Sequence, residues 1–329
     1  AATVFSAVEA GIAAEDVLLE VIAPVQLRIG SEWAANRLTV AQEHAATAIN
    51  DRVIAALAHH PTAKPPGDAG RVTVACVDGE WHALPARLLA EVLRLRGWQV
   101  DFLGAQVPTP HLIAHLHVHG PDAVALSCSI PTCLPTAHAA ITACQASGVA
   151  VLAGGAGFGV DGRYARLLGA DAWAPDARSA ATCLRGAFPR VPASPGHQPI
   201  DDLPHLADQE FTMVSTTVGQ LVGTTVQKLA HRFPAMAGYS EQQRRHTIDD
   251  IAHIVDFLAA TLYVDDDDLF TNFIGWTADI LTARGVPASS LNPTLDIIAS
   301  ELIDFPRVQR IVTAALHTLA ATATDPSLH

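Results

Sequence analysis

The chain has 329 residues and a mass of 34.6 kDa, half of its residues are hydrophobic (50%), and its formal net charge is -13. That length and composition exclude a disordered chain and leave room for two or three domains with buried cores. An acidic balance of 20 Lys+Arg against 33 Asp+Glu excludes electrostatic binding of bulk nucleic acid. Five cysteines without paired spacing form neither a disulfide scaffold nor a zinc ribbon, and they fit a reducing cytoplasm. No basic region followed by an apolar run opens the chain, so no signal peptide is expected, and a start at Ala1 suggests a trimmed chain.

Residues 1–62 read as a helical segment. Val17, Leu18, Val21, Ile22 and Val25 recur at helical spacing, and Pro24 is expected to kink or break that run. Thr39 with Gln42 three residues on has the form of a capping box, which predicts a new helix from 39 to about 59. Pro65, Pro66, Gly67 and Gly70 mark a linker over 61–70. From 70 to 188 strand and helix patterns alternate. Strands are predicted over 71–77, 99–103, 123–127, 150–153 and 172–173, with helices such as 86–96 and 136–146 between them. This alternation predicts a doubly wound parallel, flavodoxin-like sheet that binds ligands beyond the carboxyl ends of its strands. Those ends fall at 78–85, 104–108, 127–132 and 154–159.

The uncharged run 123–160 has the length of a membrane span, but Pro131, Pro135, Gln145, Ser147 and Gly148 interrupt it. A buried strand, helix and strand is the expected outcome. Five prolines over 189–204 mark a second linker. The remainder, 205–322, reads as all helical. Ile248, Ile251, Ile254, Val255 and Leu258 form an apolar face, Ser240 with Gln243 another capping box, and Gly285 a helix stop.

Chemistry concentrates in the loop Asp78-Gly79-Glu80-Trp81-His82-Ala83-Leu84-Pro85. His82 there sits at the ligand edge of the sheet as a candidate metal ligand, and Asp78 or Glu80 could fix its tautomer. Taken alone, the loop is better described as an ordinary exposed histidine at a helix start, since an acid two residues before a histidine is common. Further on come Ser127-Cys128-Ser129 and Gly154-Gly155. Together these resemble the cobalamin-binding signature of methionine-synthase-type modules, Asp-x-His-x-x-Gly, Ser-x-Leu and Gly-Gly. The resemblance implies that His82 is the lower axial ligand to cobalt and that the displaced nucleotide tail threads into the sheet. Asp78, Glu80, Trp81, Val107, Ser127, Ser129, Thr132, Gly154, Gly155 and Gly157 are the implied cofactor-binding residues around it. The chain departs from the signature at Glu80 for Asp, Pro85 for Gly and Ser129 for Leu.

A second pattern lies upstream. Trp33 is followed after nine residues by Glu43-His44. This resembles the upper-face cap of CarH-type light-sensing cobalamin domains, which implies that Trp33 covers the adenosyl group with Glu43 and His44 around it. Ala34 stands where those sensors carry the histidine that binds cobalt after illumination. The order of helical cap, cobalamin sheet and helical tail resembles the photocobilins, implying a globin-like C-terminal domain that holds biliverdin. Arg232, Arg244 and Arg245 are the candidate cations for its propionates. His246 and His253 are candidates for the pyrrole nitrogens, and Tyr239, Tyr263 and Trp276 for the walls. The tail has no cysteine, so any bilin is expected to be non-covalent; a haem on one of these histidines is an alternative.

Other features carry less. Asp265–Asp268 lacks the glycine and distal glutamate of a calcium loop and reads as a solvated turn and helix cap. Gly154–Gly157 follows a late strand, which argues against a dinucleotide loop. His111, His115, His117 and His119 read as surface residues of a short helix. The expectation is a light-sensing adenosylcobalamin module rather than an enzyme. Its output would be light-dependent self-association or a fused or separate output enzyme, with neither nucleic acid nor membrane as partner. A corrinoid methyl carrier shares the His82 loop and is the alternative; a scaffold without cofactor is a third reading.

Overall fold

The computed structural model describes residues 2–59, 67–186 and 202–324. The two expected linkers lie largely outside the described residues. The chain divides into two units, Ala1–Asp202 and Leu203–His329.

The first unit opens with helices α1 (Ala2–Glu9), α2 (Ala14–Asp16), α3 (Ala23–Ala34) and α4 (Val40–Ala58). Between α2 and α3 the backbone widens into a π-helix, Val17–Ile22, in which the Ala23 N–H reaches back to the Leu18 carbonyl. The break expected at Pro24 is thus a widened turn rather than a kink. Pro24 sits in the first turn of α3, and the widening relieves the clash of its ring with the carbonyl four residues earlier. The capping box of α4 is present: Gln42 N donates to Thr39 Oγ1 at 3.2 Å, and Thr39 N donates to Gln42 Oε1 at 2.9 Å.

Val17, Leu18, Ile22, Val53, Ile54 and Leu57 pack on Leu84, Leu88 and Val92 of α5 (Ala83–Leu95). The helical segment therefore sits on the helix that follows the first strand. Ion pairs border this seam. Arg96 reaches Glu15 at 2.9 and 2.8 Å, and Arg178 reaches Glu15, Asp16 and Glu20 at 3.2, 2.9 and 2.5 Å.

The sheet holds β1 (Arg71–Cys76), β2 (Gln99–Gly104), β3 (Ala123–Ser127), β4 (Ala150–Gly154) and β5 (Ala172–Ala174). Its order is β2-β1-β3-β4-β5 and all pairs are parallel, the flavodoxin-like order. Each crossover is a helix: α5, then α6 (Thr109–His119), α7 (Leu134–Ala146) and α8 (Arg163–Leu167), with α9 (Ala177–Arg185) last. Val72, Val74, Ala123, Ala125 and Leu152 are buried on strands covered by helices, which explains their unbroken apolar runs. The uncharged stretch 123–160 is β3, a 3₁₀ turn (Pro131–Cys133), α7 and β4. Among the described residues no helix is long and apolar enough to cross a membrane.

Register decides where the site falls. Cys76 pairs with Ser127, and Ser127 with Gly154, so three strands end level. Strand β1 lies between β2 and β3, so chain direction across the sheet reverses there. The crevice beyond β1 and β3 is the place where such sheets hold ligands.

The second unit is all helical among its described residues: α10 (Glu210–Thr216), α11 (Val218–Arg232), α12 (Glu241–Val264), α13 (Asp267–Ala283), α14 (Asn292–Glu301) and α15 (Pro306–Thr324). Leu221, Ile254, Leu258, Phe270, Ile274, Leu295, Ile298, Val308 and Ile311 share its core. The Ser240–Gln243 capping box starts α12, and Gly285, at φ 76°, follows the end of α13. The aspartate run is not merely solvated. Asp266 caps α13, while Asp265 and Asp267 are held by Arg307 and Arg310 at 2.8–3.3 Å.

Candidate functional site

The loop after β1 places a buried carboxylate beneath a half-exposed imidazole. Glu80 Oε1 accepts the His82 backbone N–H at 2.7 Å and stands 2.7 Å from His82 Nδ1. Its Oε2 accepts the N–H groups of Ser129 at 2.5 Å and Ile130 at 3.0 Å, in the loop after β3. The Glu80 side chain is wholly buried, whereas that of His82 is 56% exposed. With Nδ1 held by Glu80, His82 offers Nε2 as its outward nitrogen. Burial works against the Glu80 charge, but hydrogen bonds from the His82 ring and from the His82 and Ser129 N–H groups outweigh it and hold the carboxyl below its usual range. The hydrogen bond to Glu80 raises the His82 pKa, against burial, and the charges of Glu80 and Glu43 add to it.

Of the two acids near His82, then, Glu80 is the partner. Asp78 contributes its carbonyl to Thr136 Oγ1 at 3.2 Å instead. Ser129 acts through its backbone, so the exchange of leucine for serine there leaves the Glu80 anchor intact. Trp81 is 75% exposed. Gln106 N donates to the Glu80 carbonyl at 3.0 Å and Val107 N to the Cys76 carbonyl at 3.3 Å, which brings the loop after β2 to the same edge. Ser127 ends β3 and is buried, and Thr132 lies in the 3₁₀ turn beyond it. Gly154 ends β4, and Gly155 and Gly157 let its loop close on the β3 loop. A Cβ on Gly155, at φ 104°, would lie 2.3 Å from the Cys128 carbonyl oxygen, and one on Gly157 would lie 2.9 Å from it. These glycines serve close backbone approach.

On the helical side, Trp33 is half-buried in the last turn of α3. Glu43 and His44 lie in the first turn of α4, with His44 Nδ1 2.7 Å from Glu43 Oε2. Glu43 Oε1 accepts Thr47 Oγ1 at 2.8 Å. Gln26 Nε2 donates to Thr47 Oγ1 at 2.7 Å, and Asn50 donates to Gln26 Oε1 at 2.9 Å. A polar chain thus ties α3 to α4 and holds Glu43. Sequence reasoning missed it, although Thr47 and Asn50 follow Glu43 at one-turn spacing.

The tail residues do not all converge. His246 and His253 are exposed on α12, Arg232 ends α11, and Arg244 donates to the Ala237 carbonyl at 3.3 Å beside exposed Arg245. Tyr239 packs against the core, and Trp276 is half exposed on α13. Tyr263 is buried edge-on against Phe211, at the far end of α12 and about 25 Å along the helix from His246. It cannot wall a slot near Arg244 and Arg245. Phe257 and Phe273, stacked at 3.7 Å, are the aromatic surface beside Trp276 that the sequence reading omitted. Of the α6 histidines, His111, His117 and His119 are exposed, and only His115 needs correction: it is half-buried, 3.4 Å from Asp101, with its ring 4.2 Å from that of His119 and tilted against it.

One imidazole is too few ligands for a bare ion, and no group of three or more His, Cys, Asp or Glu among the described residues could hold one. A metal at His82 must bring its own equatorial ligands. The oriented Nε2, the level strand ends and the glycine-closed loops fit a corrin, which would bring its own metal to His82.

Comparison with known proteins agrees with this geometry. Residues 70–182 match the B12 binding domain family, and residues 1–58 match a second B12 binding domain family. The HTH-type transcriptional repressor CarH of Myxococcus xanthus is 36% identical over 110 residues. The match covers 33% of this chain and 35% of that protein, so it spans about a third of the relative's length. Among solved structures, the monomethylamine corrinoid protein of Methanosarcina barkeri is 21% identical with a TM-score of 0.47, over 55% of this chain and 86% of that one. A cobalamin-binding protein of Desulfitobacterium hafniense is 19% identical with a TM-score of 0.34, over 55% and 89%. The family matches support cobalamin as the cofactor of the first unit.

Proposed function

We propose that the first unit binds adenosylcobalamin and senses light. The observation that carries this reading is the Glu80–His82 pair at the crevice between β1 and β3, with Glu43 close enough for its charge to act on His82. His82 Nε2 would hold the cobalt, Glu80 fixes the His82 tautomer, and Asp78, Trp81, Val107, Ser127, Ser129, Thr132 and the glycines 154, 155 and 157 would surround the cofactor and its tail. Adenosylcobalamin supplies a cobalt–carbon bond that visible light cleaves. In this chain Trp33, Glu43 and His44 cover the upper face, and the seam of α3 and α4 re-packs when that face loses its ligand. The re-packing changes self-association or a fused or associated output protein. In the second unit we propose non-covalent, globin-like seating of biliverdin, with Arg232, Arg244 and Arg245 for the propionates, His253 for the pyrroles and Tyr239 beside them.

The test is a visible spectrum of the full chain expressed with cobalamin and biliverdin, in the dark and after green light. A light-induced cobalamin change accompanied by a change in molecular mass is the expected result. A spectrum that ignores light refutes the sensor and favours a corrinoid methyl carrier. A separate long-wavelength bilin band reports the second chromophore.

A further inference from the structure

A cavity of about 420 Å³ lies at the end of the sheet opposite His82. Arg71 and Gln99 line it and begin β1 and β2, whereas the His82 loop follows the last residue of β1. The strand between the two ends is about 17–20 Å long. Two sides of the cavity are apolar. Leu18, Ile54 and Leu57 come from the helical segment, and Leu95 and Val100 from α5 and β2. The charged lining residues stand in pairs. Arg71 Nε and Nη2 donate to Asp101 at 2.8 and 3.0 Å, and Arg94 Nη1 donates to Glu91 at 2.6 Å. Arg71 Nη2 also meets His119 Nδ1 at 3.1 Å, and Arg94 Nη2 the Val100 carbonyl at 3.2 Å. These contacts leave N–H groups of both guanidiniums unspent. Trp98, another lining residue, is 4% exposed, and its indole N–H meets no acceptor among the described residues. Both carboxylates, by contrast, are taken further: Asp101 stands 3.4 Å from His115 Nε2, and Glu91 3.0 Å from Arg87 Nε.

We propose that this cavity binds an uncharged, apolar small molecule, about the size of two fused rings, that carries a carbonyl acceptor. The size follows from the volume: ligand pockets run from about 300 to 1,000 Å³, and an aliphatic cavity of about 150 Å³ holds one benzene ring. The head group follows from the charges, since the lining sets two guanidiniums against two carboxylates. An ammonium would find both carboxylates taken and two cations beside it. A carboxylate would find donors but lie beside Asp101 and the buried Glu91, where little water screens the repulsion. A neutral carbonyl takes up the unspent N–H groups and meets neither penalty. Such an occupant touches the helical segment through Leu18, Ile54 and Leu57, and the layer beneath it through Leu95 and Val100. It braces the seam between them, and so acts on the helical segment from a place remote from the strand ends that face the proposed cofactor.

The experiment uses the full chain without cofactor and three naphthalenes that differ in head group: 1-acetonaphthone, 1-naphthoate and 1-naphthylmethylamine. Nitrogen-15 amide spectra through a titration should show 1-acetonaphthone shifting Leu57 and Val100 while Ser129 and Gly155, at the ligand edge, stay in place. Both charged relatives should bind at least about tenfold more weakly. With free 1-acetonaphthone at about ten times its Kd, amide exchange at Ile54 and Leu57 should slow about tenfold, because opening α4 must first release the occupant. Ala14→Phe sets a ring into the cavity from a half-buried lining position and should abolish the shifts. Absent shifts at Leu57 and Val100, a charged relative binding as tightly as 1-acetonaphthone, or unslowed exchange in α4 each overturn the proposal, and none of these needs the variant to fold. Unchanged binding by folded Ala14→Phe overturns it as well. The site does not rest on the cobalamin reading; only its use to regulate the helical cap does. With no cobalamin present, these outcomes stand apart from the dark and lit spectra that decide the proposed function.

Discussion

Replacing Glu80 by alanine removes the acceptor on which two loops converge. Three backbone donors, His82, Ser129 and Ile130, and the His82 Nδ1 side lose their partner in a buried site. A buried donor left unpaired costs about 1–3 kcal/mol. Water entering the space vacated by the side chain recovers part of this, so we expect a loss of about 3–5 kcal/mol, the range for breaking a buried charged pair. The assay is amide hydrogen exchange at Ser129 and Ile130, read with the urea midpoint of the full chain. Both amides should lose protection by that amount. Glu80→Asp keeps the charge on an arm one methylene shorter, and should cost about 1–2 kcal/mol by weakening one of the two loop contacts. Equal protection of both amides in wild type and Glu80→Ala, with an unchanged midpoint, would refute the claim that this carboxylate binds the loops together.

Other outcomes follow from the same geometry. Gly155→Ala combines a φ of 104° with a Cβ 2.3 Å from the Cys128 carbonyl, and should lower stability by at least about 2 kcal/mol on thermal denaturation, because backbone rather than a side-chain tip must move. The hydrogen bond from Arg96, against burial and with help from Arg178, holds Glu15 below the usual carboxylate range. Its stabilising contribution is therefore complete above its unfolded value, about 4.3, and lost as pH falls through the lower folded value. The gap in urea midpoint between wild type and Glu15→Gln should close across that acid window and remain constant above it. On the proposed function, Trp33→Ala should weaken adenosylcobalamin binding about tenfold in the dark, as a large apolar cover is lost, while the spectrum expected from His82 ligation stays the same; equilibrium dialysis and absorbance separate the two effects.

The strands and capping boxes were legible because each rests on local pattern: apolar runs bounded by turn residues, and a hydroxyl with glutamine three residues on. The position of His82 on the ligand edge followed from the same alternation. What stayed hidden depended on partners distant in sequence. Nothing local shows that Ser129 and Ile130 contribute N–H groups rather than side chains, or that the two carboxylates beside Asp266 meet Arg307 and Arg310. Tyr263 shares a helix with His246, but sequence proximity on a long helix does not place two side chains in one slot.

The widened turn at Val17–Ile22 has a bearing on the indole downstream. Each residue in a regular helix advances the azimuth by about 100° and the axis by about 1.5 Å. The wide segment takes more residues per turn, so excising a single residue from it would restore ordinary winding and leave Trp33 on nearly its present heading. Those six residues therefore absorb one extra residue without re-pointing the far end of the helix, whereas a one-residue deletion within Ala23–Ala34, ahead of Trp33, would turn the indole by about 100°.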